Sequence, residues 1–114
     1  MDNQNFRTSQ QEFFNHFSNN TNKMLSFELF KFIEQQNDQE VARLIKEGAN
    51  VNCELTPLIY ATMHYHDAIV EMLLHAKAYK GIKEAVFYAF KNQKAEHFYE
   101  VQDNVYQEAI AKKT

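Results

Sequence analysis

Apolar residues recur at helical spacing along most of this chain, and polar stretches mark where one helix gives way to the next. Leu25, Leu29, Phe32 and Ile33 keep a three-to-four rhythm, which predicts an amphipathic helix over residues 24–36. Val41, Leu44 and Ile45 do the same for the following segment, and Asn37 and Glu40 stand before them at capping spacing. Gly48 comes where a helix end calls for a left-handed residue; a β-branched replacement there costs on the order of 1 kcal/mol or more. Thr56-Pro57 starts another helix: the hydroxyl is expected to cap it, and proline at the first helical position gives up no needed donor. Helices over 56–64, 67–75, 82–92 and 94–102 follow, with Gly81 in the linker before the third pair. Beyond Asp103-Asn104 the rhythm continues through Val105, Ala109 and Ile110 to 112. Either the last helix runs through or a short capping helix follows.

The helical pattern repeats itself. Val41, Leu44 and Ile45 superimpose on Val70, Leu73 and Leu74 at an offset of 29 residues, and Leu29 and Phe32 on Leu58 and Ala61. An offset of 28 lays Val86 and Ala89 on Leu58 and Ala61, and Phe98 and Val101 on Val70 and Leu73. Periods of 20–50 residues are the signature of stacked repeats. Two stretches, TPLIYA at 56–61 and EVARLIKEGANVN at 40–52, resemble the ankyrin repeat: its T-P-L-H-x-A start, and the end of its second helix with the turn that follows. Only Cys53-Glu54-Leu55 lies between Asn52 and Thr56, so the unit is shorter than the family's 33 residues and its projecting β-turn finger is expected to be cut down. Gln36 and Tyr65 stand where the family has glycine between paired helices.

The resemblance implies an all-α fold: a small helical solenoid of about three ankyrin-like helix pairs with N- and C-terminal capping helices. Residues 1–8 read as a frayed terminus and 9–114 as a single domain, with repeats at about 24–52, 53–81 and 82–102 and a C-terminal helix to 112. Ser9 and Glu12 have capping-box spacing and open a helix over 9–19 that sets Phe13, Phe14 and Phe17 on one face. It is read as a lid on the end of the stack, with a docking segment for a partner as the alternative.

Composition narrows the function classes. The chain has 114 residues with 45% hydrophobic content, ten Phe and six Tyr, so it can fold; two Gly and one Pro leave few turn-makers for a β-protein. A net charge of −3 gives no strong field for nucleic acid or anionic lipid. A single Cys excludes an intramolecular disulfide. The polar start has no secretory signal pattern and no apolar run is long enough to span a membrane, so a cytoplasmic protein is expected, with delivery into a host cell left open.

Candidate chemistry is sparse. His64, His66 and His75 suggest a metal site, but zinc needs converging ligands, and His75 ends a helix whose rise sets it about 15 Å away. No metal and no cofactor are expected. Cys53 beside Glu54 lacks the basic setting that activates a thiol, and with two glycines no phosphate loop is available. Lys77, Lys80, Lys83, Lys91 and Lys94 read as a solvated face.

What remains is surface. Ankyrin-like stacks present the first helix of each pair to partners, and the matching positions here are Lys31, Glu34 and Gln35, then Tyr60, Met63 and His64, then Tyr88, Lys91 and Asn92. The competing reading packs Tyr60, Met63 and Tyr88 against neighbouring helices. The expected function is therefore a non-enzymatic protein-binding module, an inhibitor, regulator or adaptor of an enzyme partner, in the manner of bacterial or viral effectors. A self-assembling homodimer is the alternative, and an enzyme comes third.

Overall fold

The structure, a computed structural model, describes residues 24–113. The expected helix over 9–19, with Phe13, Phe14 and Phe17, lies outside them. The described residues are all-helical, with no strand among them. In order they form α1 (24–34), α2 (Asp38–Lys46), α3 (Pro57–Met63), α4 (Asp67–His75), α5 (Ile82–Lys91) and α6 (Ala95–Lys113).

Short turns join α1 to α2, α3 to α4 and α5 to α6, and these turns share one geometry. The N–H of Asn37 donates to the carbonyl of Phe32 at 2.9 Å, that of His66 to Ala61 at 3.3 Å and that of Lys94 to Ala89 at 2.7 Å. Each bond spans five residues and closes a helix C-terminus in the Schellman manner. The residue before each donor is left-handed: Gln36 at φ 55°, Tyr65 at φ 50° and Gln93 at φ 60°. A second set of turns repeats as well. After α2 and α4, Ala49 bonds back to Leu44 at 3.0 Å and Ala78 to Leu73 at 2.9 Å, with Gly48 and Lys77 left-handed between them. The apolar offsets of 29 and 28 residues thus coincide with a repeated backbone.

The helices pack in two rows. One row sets α3 against α5; the other sets α2 against α4 and α4 against α6. Within pairs α3 meets α4 and α5 meets α6. The core between the rows repeats too: Leu29 and Leu58; Val41, Val70 and Phe98; and Leu44, Leu73 and Val101 are all buried. Across the helix ends, Arg43 holds Glu40 at 2.6 Å and Glu47 at 2.7 Å, and reaches Glu28 of α1 at 3.9 Å. All four side chains are exposed, so this cluster adds little stability.

Two local expectations meet the backbone differently. Asn37 does cap α2, accepting from the Glu40 N–H at 3.3 Å. Thr56 does not cap α3: its φ of 48° turns the side chain away, and its hydroxyl donates to the Leu55 carbonyl at 2.7 Å. Pro57 still occupies the first turn of α3. Helix α6 continues unbroken through Asp103 and Asn104, both exposed, where no buried neighbour forces a turn. Among the described residues no helix is long and apolar enough to cross a membrane.

Candidate protein-binding site

The nine positions singled out in the sequence lie on α1, α3, α5 and the turns that follow them. Lys31, Glu34 and Gln35 are exposed, as are Met63, His64 and Lys91; Tyr60, Tyr88 and Asn92 are half-buried. Glu34, Tyr60, Met63 and His64 line one shallow cavity of about 120 Å³ between the ends of α1 and α3, whose wall does not include Tyr88 or Lys91. Tyr60 also packs inward. Its ring stands edge-on to Phe30 with centroids 4.5 Å apart, and it rests against the core, so it bridges α1 and α3 while keeping one side in solvent. Tyr88 meets its neighbour Phe87 edge-on at 5.4 Å. The Lys31 ammonium lies 5.9 Å over the Phe32 ring, an exposed cation–π contact worth about 0.5–1 kcal/mol.

Asn92 has a structural duty. Its amide donates to the carbonyls of Tyr88 at 2.8 Å, Thr62 at 3.1 Å and Met63 at 3.2 Å. It thereby closes the end of α5 and ties it to the end of α3. An equivalent device joins the linkers: the Asn52 side chain accepts from the N–H groups of Tyr79 at 2.8 Å and Lys80 at 3.0 Å and donates to the Lys77 carbonyl at 3.1 Å. The sequence marks Asn52 only as a turn residue; nothing local reveals a bond 25 to 28 residues away.

His64 and His66 line the same cavity, and His75 lies elsewhere. His64 follows α3 at its C-terminal end, His66 precedes α4, and His75 ends α4 with Nδ1 3.6 Å from Glu108. No group of three His, Cys, Asp or Glu able to hold a metal ion is found among the described residues. Cys53 is half-buried in the wall of a larger cavity of about 390 Å³ that also includes Glu54 and Lys80; the lysine comes from the next linker and was not a sequence neighbour.

A carboxylate–imidazole–hydroxyl chain that the sequence did not suggest links the α3–α4 turn, α4 and α6. The Tyr65 hydroxyl lies 2.9 Å from His97 Nδ1, and His97 Nε2 lies 2.9 Å from Glu71. Hydroxyl donating to Nδ1 and Nε2–H donating to the carboxylate satisfies all three groups. Burial, reinforced by the negative charges of Asp67 and Glu71, raises the Tyr65 pKa well above 10.0. A nucleophile needs the opposite shift, so the chain is suited to fastening α4 to α6. Beside it Lys94 meets Asp67 at 3.2 Å.

No protein-family model, curated protein or solved structure matches the chain.

Proposed function

We propose that this chain is a divergent ankyrin-like repeat protein that binds another protein and performs no chemistry of its own. The observation that carries the reading is the turn repeated at Gln36, Tyr65 and Gln93, with its five-residue hydrogen bond at each occurrence. Such a repeat sets Lys31, Tyr60 and Tyr88 at matching positions of successive first helices, and does the same for Glu34, Met63 and Lys91. Neighbouring helices in contact lie about 8–10 Å apart, a spacing over which these side chains form a continuous strip. Tyrosine, methionine and long cations are the types that anchor protein interfaces. The short link at 53–55, held to the next linker by Asn52, stands where the family's finger projects. This leaves the strip as the larger recognition surface.

A protein of this kind acts by occupying a surface, as an inhibitor, regulator or adaptor of an enzyme. The test is affinity capture from the source cells with two baits, the natural chain and a Tyr60→Ala/Tyr88→Ala variant of matching circular dichroism. A protein retained by the first and lost by the second is expected. Identical recovery by both baits contradicts the assignment.

A further inference from the structure

A second surface, adjoining that strip at Tyr88 and Lys91, stands out by comparison across the repeats. Phe90 corresponds to Ile33 and Thr62, which are 4% and 0% exposed; Phe90 itself is 59% exposed. Phe87 corresponds to Phe30 and Ile59, both half-buried, and is 60% exposed. Tyr99 corresponds to Glu71, which the next helix pair engages through His97. On the last pair, the positions that earlier pairs use for stacking thus carry large aromatic side chains in solvent. Helix geometry agrees. His97 faces α4 through Glu71, and Tyr99, two residues on, points about 160° away. Ala85 is buried, and Phe87 is likewise two residues on. Tyr106 follows Tyr99 by one heptad, at the edge of a cavity that it shares with Leu74 and Tyr79, and the rings of Phe90 and Tyr99 are 6.2 Å apart. Large aromatic side chains gathered on one exposed helix face mark an interaction surface.

We propose that Phe87, Phe90, Tyr99 and Tyr106 form the contact face between two copies of this chain, related by a two-fold axis parallel to α5 and α6. Charge selects this partner and this arrangement. Helix α5 exposes Lys83 and Lys91 against one acid, Glu84, whereas α6 exposes Glu96, Glu100 and Asp103 around Tyr99, its Glu108 being turned towards His75 of α4, and has no Lys or Arg before Lys112. A two-fold axis along the helices lays each α5 antiparallel on the partner's α6, base against acid, in a four-helix arrangement. The perpendicular axis lays α5 on α5 and sets like charges together. The four aromatic side chains contribute on the order of 450 Å² per copy, taking about 200 Å² for a fully exposed ring. That is over half of the roughly 800 Å² per partner of a standard interface, and the long charged side chains at its edge supply more.

Sedimentation equilibrium of the full chain tests the proposal. At about 100 μM, above the dissociation constants that interfaces of this size reach, the natural chain is expected at twice its 13.5 kDa mass. Phe90→Asp is expected to be monomeric with an unchanged circular dichroism spectrum. Lys83→Glu and Asp103→Lys should each weaken the dimer about tenfold, and together restore it. Tyr60 lies on α3 and packs on Phe30, so Tyr60→Ala should leave the dimer intact, which separates this face from the proposed binding strip. A natural chain that stays monomeric overturns the proposal, including the case in which Phe90→Asp lowers its melting temperature because residues 1–23 cover the face. Open-ended assemblies overturn it too, as does a double charge variant weaker than either single one.

Discussion

At Gln36, Tyr65 and Gln93 the backbone takes a conformation that costs a side chain about 1–2 kcal/mol. Glycine relieves that cost but brings an entropic penalty of roughly 0.5–1 kcal/mol. Gln36→Gly and Gln93→Gly are therefore each expected to stabilise the protein by about 0.5–1 kcal/mol, read as a higher urea midpoint at unchanged slope. A fall in midpoint at both sites contradicts the left-handed turns. Tyr65→Gly runs the other way, because the ring is 6% exposed and its hydroxyl is bonded to His97. Tyr65 also has a spectroscopic signature. Its raised pKa means the folded state holds the proton that the unfolded state releases near pH 10. The stability it provides is complete below that pH and declines as pH rises further. In an ultraviolet titration of the six tyrosines, one late-ionising fraction is expected, and Tyr65→Phe should remove it. Retention of that fraction in the variant assigns it to another tyrosine. Gly48 was marked in the sequence by its residue type, and Gln36 and Tyr65 only by standing where the resembled family has glycine; Gln93 carried no signal, since nothing in a glutamine announces a left-handed backbone.

The helices themselves were legible where a start signal and an apolar rhythm agreed, as at Asn37–Ile45 and Pro57–Ala61. Thr56 shows the limit of such signals. A residue of capping type caps only if its backbone aims the hydroxyl inward, and its left-handed φ does not. Asp103-Asn104 shows the converse: two residues of turn type remain helical because both face solvent and the helix on either side is anchored by Val101 and Val105. Asn104→Pro tests this continuity. Within an unbroken helix it removes a hydrogen bond and introduces a clash, at a cost of about 3 kcal/mol. A substantial drop in melting temperature and in helical signal is expected. A variant as stable and as helical as the natural chain places a break at that position.

For the whole molecule, offsets of 29 and 28 residues revealed the repetition because the core positions keep their apolar character from one pair to the next. The long-range polar ties did not show, since the bonds of Asn52 and Asn92 and the Tyr65–His97–Glu71 chain join residues far apart in sequence. Nor did the exposed aromatic face, because the sequence marks Phe87 and Phe90 by type and not by which helix covers them. The proposed recognition strip rests on the same repetition as the fold, so its test must separate binding from folding. Calorimetric titration of the captured partner does so. Tyr60→Ala and Tyr88→Ala, each folded by circular dichroism, are expected to lose about 2 kcal/mol of binding, roughly thirtyfold in affinity, while Lys31→Ala loses less. Normal binding by both tyrosine variants, with Phe13→Ala or Phe17→Ala abolishing it in a folded protein, would contradict the strip and move recognition to the N-terminal segment.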